Sequence, residues 1–143
     1  MTSQSMLDKE VRLLRMLHIA VMTSLVIMAL ILFFALNNKK LPDNLPFVAL
    51  RLASIALLFV SWVLIRFVFN KPRFNSNLSE EEKLAIIKKN HILKLALLEI
   101  PAILALVTFA LSGDKLSLVY CAMALLLLLT EFPTMQRIKN FLI

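Results

Sequence analysis

Glycine is almost missing from this chain: Gly113 is the single one in 143 residues. That excludes a glycine-rich phosphate loop, and it excludes the GxxxG contact through which many membrane helices associate. The single cysteine, Cys121, rules out an internal disulfide and a cysteine metal cluster. Charge is scarce as well. Only 17% of residues are charged, against about 25% in soluble domains. No H-E-x-x-H, G-x-S-x-G or P-loop pattern occurs, and no pairing of nucleophile and base stands out. These absences predict a protein that is not an enzyme and that needs no cofactor and no metal.

Apolar residues are abundant in their place. They make up 60% of the chain, and the mean hydropathy is +0.84. A short soluble domain cannot hide that much apolar surface, and a disordered chain would carry far less. The expected class is an all-α integral membrane protein. It reads as a four-helix bundle of two helical hairpins, one membrane domain over residues 1–143.

Four apolar runs set the spans. Residues 16–36 are uncharged and long enough for a hydrocarbon core of ~30 Å. They exceed the apolar region of a signal peptide and end without a cleavage pattern, so the first span is expected to be retained. Residues 47–69 form the second run, with Arg51 and Arg66 near its ends, where long side chains snorkel. Its length favours a crossing helix, with an interfacial or re-entrant helix as the other reading. The third span covers 92–111 and the fourth 116–135, the latter broken near its end by Glu131 and Pro133.

The connections carry their own signals. Residues 37–46 read as a loop from their Asn, Pro and Asp content, and 112–115 as a tight turn. Within the longer loop, 70–91, Ser79 stands three residues before Glu82, a capping-box pattern, and Glu80 and Glu81 follow in the acidic first turn. A helix is expected to start there and lead into the third span, with Leu84, Ile87, Ile92 and Leu95 on its apolar side.

Of the 16 Lys and Arg, all but Lys39, Lys40, Arg51 and Lys115 fall on the side that holds both termini and the 70–91 loop. The positive-inside bias places that side in the cytoplasm, and the expected location is a bacterial inner membrane. The net charge of +7 is then a matter of topology with some attraction to anionic lipid, and not a sign of nucleic-acid binding. The halves also look alike. Phe34-Ala35-Leu36-Asn37-Asn38 matches Phe109-Ala110-Leu111-Ser112-Gly113, a parallel repeat that sets Ser24 where Glu99 stands.

Glu99 is the sharpest candidate site. It lies ~18 Å below the outer end of the third span, where an ionisable group costs about 2.5–3.5 kcal/mol. Either it binds a proton or ion, or it is a hydrogen-bonded group that holds helices together. Counting depth along each helix brings Thr23, Ser24, Ser61, Thr130 and Glu131 to similar levels, a supporting polar layer. For Glu131 the preferred partner is a base at the inner boundary: Lys94, Arg66 or Arg137. His18 and His91 flank membrane boundaries and read as interfacial packing, too few ligands for a metal.

The segment LALLEIPAILALVTFAL of the third span resembles the carboxylate helix of the proteolipid c subunits of rotary ATPases. The likeness extends to two hairpins of which only the second bears the carboxylate, as in the doubled vacuolar-type subunits. It implies Glu99 as the ion-carrying residue and Ser24 as its silent counterpart. Those subunits pack through glycine-rich helices, whereas no span here contains glycine. The chain also resembles small four-span proteins of bacterial membranes that share an L-L-E segment in the third span, which implies architecture alone. Small multidrug transporters are similar in having four short helices and one membrane Glu, but theirs lies in the first span. The expected role is an accessory, assembly or interaction subunit whose partners are the bilayer and a membrane protein or a second copy. The alternative is an ion-coupled transport or proteolipid-like role at Glu99.

Overall fold

The computed structural model describes residues 3–36, 45–69, 78–136 and 138. Most of the expected 37–46 loop, the start of the 70–91 loop, Arg137 and the tail from 139 lie outside the described residues. Among those described, the chain is helical without strands: α1 is Ser3–Leu36, α2 Leu45–Leu64, α3 Glu80–Ser112 and α4 Lys115–Thr130. A π-helical turn, Ile65–Phe69, prolongs α2. Three segments, Leu7–Leu36, Phe47–Phe69 and Glu80–Ser112, are long and apolar enough to cross a membrane.

The central element is α3, against which the other three helices pack. Its start is built as the sequence predicts. The Ser79 hydroxyl accepts from the Glu82 amide, while the Ser79 amide and hydroxyl donate to the Glu82 carboxylate. Those two donors stabilise the ionised form and hold the Glu82 carboxyl below its ordinary range, in the charged lead-in ahead of the apolar stretch. Pro101 lies inside α3 without ending it, because a missing amide is tolerated where neighbouring helices cover the backbone.

α3 ends at Gly113, whose φ of 66° places it in the left-handed region and whose amide donates to the Phe109 carbonyl at 2.7 Å. Asp114 then caps α4 by accepting from the Leu116 amide. Its other carboxylate oxygen meets Arg51 of α2 at 2.9 Å. Arg51 thus ties α2 to the α3–α4 turn as well as standing near a span end.

Close helix packing is achieved without glycine. Ala102 and Ala105 of α3 and Ala124 of α4 are fully buried, and Ser117, Cys121, Ala124 and Leu128 line the α4 face toward the core. Small side chains at this spacing let helices approach closely. Ser54 and Thr108 are buried there too, each donating its hydroxyl to the carbonyl four residues earlier. A buried hydroxyl satisfied on its own helix needs no partner across the interface.

Two boundaries differ from the sequence expectation. α4 has 16 residues, about 24 Å, and ends at Thr130 where a span to 135 is expected: Pro133 cannot continue the helix, and Glu131, just past its end, forms an ion pair with Lys94. α1 has 34 residues and extends well before residue 16. Val11 and Leu14 continue the face that carries His18 and Leu25, and they pack with Leu84, Ile87 and Ile138 in a second, smaller core. Glu10 and Lys88, 2.7 Å apart, close its side.

The turn makes a direct prediction. A Cβ at φ 66° meets the following carbonyl at about 1–2 kcal/mol. Gly113→Ala is expected to lower stability by that amount in a detergent-unfolding titration, and Gly113→Asn by less.

Candidate functional site

The most concentrated polar chemistry lies where α1, α3 and the end of α4 meet, beside the apolar stretch that starts at Leu95. Lys94 of α3 and Glu131 just past α4 form a buried ion pair, Nζ to Oε2 3.0 Å, with side chains 8% and 10% exposed. Lys94 is one of the three bases, with Arg66 and Arg137, that the sequence offers to Glu131. A pair so far from water survives through its own geometry and through further hydrogen bonds, and both residues do have additional interactions.

The chain leaving α4 is gripped from α1. Arg15 donates from Nε to the Pro133 carbonyl at 3.0 Å. The Phe132 ring packs edge-on against His18, with centroids 5.1 Å apart. Helix ends leave carbonyls without intrahelical partners, and the guanidinium supplies one donor at this exit.

His18 and His91 are both buried, His18 completely. Their rings stack with centroids 5.4 Å apart, and His18 Nδ1 lies 3.4 Å from His91 Nε2. His18 Nε2 is buried and makes no hydrogen bond among the described residues. Among the described residues no group of three or more His, Cys, Asp or Glu comes together to hold a metal ion.

The pair escaped the sequence reading because His18 and His91 stand 73 positions apart. They meet because Glu10–Lys88 and His18–His91 advance together along α1 and α3, which run parallel. One signal was available: His91, Lys94, Leu95 and Leu98 fall on one face of the α3 helix, the three-four spacing of a buried stripe.

The polar layer centred on Glu99 is dispersed in the structure. Glu99 is half-buried, Ser61 is buried, and Thr23, Ser24 and Thr130 are exposed. The Ser24 hydroxyl donates to the Val21 carbonyl and the Thr130 hydroxyl to the Leu127 carbonyl, each on its own helix. Among the described residues Glu99 has no hydrogen-bond or ion-pair partner. Glu131 alone of this set joins the buried cluster.

A cavity of about 410 Å³ opens beside the ion pair, lined by Trp62, Ile65, Arg66, Leu98, Leu127, Thr130 and Glu131. It carries the arginine of the π-helical turn on one wall and the paired Glu131 on the other.

The ion pair can be tested by removing one charge and then both. Lys94→Met or Glu131→Leu alone strands a buried charge and is expected to destabilise by about 3–5 kcal/mol. Lys94→Met with Glu131→Leu is expected to recover most of that loss, read in the same detergent-unfolding titration. Compared with known protein families, with curated proteins and with solved structures, the chain finds no match.

Proposed function

We propose that this chain is an accessory or assembly subunit of a bacterial inner membrane, working through protein contacts and not as an enzyme. In this reading it has four spans, α4 completing the fourth with the residues after Thr130, and both termini face the cytoplasm.

The observation that carries the reading is the stem formed by the first part of α1 and the first part of α3. Val11, Leu14, Leu84, Ile87 and Ile138 give it a hydrophobic core separate from the membrane bundle. Around that core stand exposed charges of both signs, among them Asp8, Lys9, Arg12, Glu80, Glu81 and Lys89. A helix pair with its own core presents such charges at fixed positions, and fixed charges of mixed sign steer and select a partner protein.

A second reading, ion-coupled transport or a proteolipid-like role, is favoured by Glu99 itself. A carboxylate that is half-buried and without a partner in an apolar helix is in a suitable state to take up a proton or ion.

Photo-crosslinking separates the two. A photoreactive residue at Arg12, Glu81 or Lys89 in native membranes is expected to trap one discrete partner. The same residue at lipid-facing Ile31 or Leu126 is expected to trap none. A stem that stays uncrosslinked on a monomer would overturn the accessory reading. Carbodiimide labelling that varies with pH and is lost in Glu99→Gln would support the second.

A further inference from the structure

The cavity beside Arg66 does not end at the ion pair. Trp62, Leu127 and Thr130 also line a second, apolar groove of about 510 Å³ between α2 and α4, walled by Ile55, Phe59, Met123 and Leu126. α2 and α4 both pack chiefly on α3 and touch each other little, so a cleft remains between them. The cavity and the groove adjoin at the three shared side chains; the first carries Arg66 and Glu131, and the second is lined almost wholly by apolar groups.

We propose that this cleft is a binding site for one anionic phospholipid, with the headgroup phosphate at Arg66 and an acyl chain in the α2–α4 groove. Three observations fix the occupant. Arg66 is exposed and, among the described residues, has no ion-pair partner, whereas Glu131 on the facing wall is neutralised by Lys94. The uncompensated charge at the mouth is therefore positive, and guanidinium matches phosphate in shape and donors. Arg66 lies within the π-helical turn at the end of the Phe47–Phe69 segment, the depth at which arginine meets headgroups. The groove runs from Ile55 to Trp62 on α2 and from Met123 to Thr130 on α4, about 10 Å along each helix, two-thirds of the ~15 Å of hydrocarbon in one leaflet. A partner helix would fill the apolar groove but would leave Arg66 and the polar cavity unmatched. A free phosphate would match Arg66 and leave the groove empty.

Trp62 is the single tryptophan of the chain and lines both parts of the cleft, so its fluorescence reports occupancy directly. The full chain is reconstituted in phosphatidylcholine vesicles with a small mole fraction of either phosphatidylglycerol or phosphatidylcholine brominated in the acyl chain. Brominated phosphatidylglycerol is expected to quench Trp62 several-fold more than brominated phosphatidylcholine at the same mole fraction. The excess is expected to vanish in Arg66→Gln, to persist in Arg66→Lys, and to be unaffected by added inorganic phosphate. Ile55→Phe with Met123→Phe, which fills the groove, is expected to reduce quenching by both lipids. Equal quenching by the two lipids would mean ordinary boundary lipid and overturn the proposal. So would an excess that survives Arg66→Gln, competition by inorganic phosphate, or protection of Trp62 from both lipids by a second copy over the cleft.

Discussion

The buried pair between Lys94 and Glu131 stands where α4 stops, and much else follows from that stop. A lysine at the boundary of the apolar stretch of α3 cannot be left without a counter-ion, and the carboxylate that meets it at 3.0 Å comes from just past α4. Glu131 meets Lys94 where the chain leaves the helix after Thr130. The next residues, Phe132 and Pro133, then fall within reach of α1, where His18 and Arg15 hold them. One ion pair thereby couples three helices at one end of the bundle. At the other end Asp114 does comparable work. It caps α4 with one oxygen and binds Arg51 of α2 with the other. α4 is short, and it is held by a carboxylate at each end.

Between those ends the packing depends on side chains smaller than the usual aliphatics. In a bilayer there is no hydrophobic drive to press one helix on another, so association comes from close contact. Alanine, serine and cysteine supply it here on the α3 and α4 faces. The one glycine is used where a side chain is most costly, at the left-handed residue that closes α3 and turns the chain into α4. Its near absence elsewhere is thus consistent with tight packing. It does separate this chain from the glycine-lined helices of rotary proteolipids, whatever the likeness around Glu99.

Local chemistry was legible in the sequence, and azimuth across the bundle was not. The Ser79–Glu82 capping box, the turn at Gly113 and the choice of a base for Glu131 each depend on a few neighbouring residues or on one strong electrostatic demand. Depth counting placed Thr23 and Ser24 near the level of Glu99, but 1.5 Å per residue says nothing of the face on which a side chain stands. Both are exposed on α1. The His18–His91 contact depends on the parallel register of α1 and α3, and the extension of α1 depends on the small core it shares with α3. Neither is contained in any one segment. The break of the fourth run at Glu131 and Pro133 is legible locally, whereas the partner that receives Glu131, Lys94, stands on a different helix.

The distribution of charge also bears on what the protein does. Lys94, Glu131, Arg51, Asp114, Lys88 and Glu10 are all paired with one another. These pairs tie the helices to one another. Two groups of the apolar helical stretches differ from these: Glu99, half-buried in α3, and Arg66, exposed in the π-helical turn, neither with a partner among the described residues. An ionisable side chain in hydrocarbon must be neutralised, hydrated or matched by something outside its own chain. Arg66 is close to water, so a headgroup answers its charge without disturbing the bundle. Glu99 has no such exit, being 12 residues from Leu111 at the far end of its helix and five past Lys94. A proton makes it neutral and a polar group from another helix makes it useful, and both are compatible with a half-exposed position on the central helix. Each of these two groups is thus open to contact from beyond its own helix.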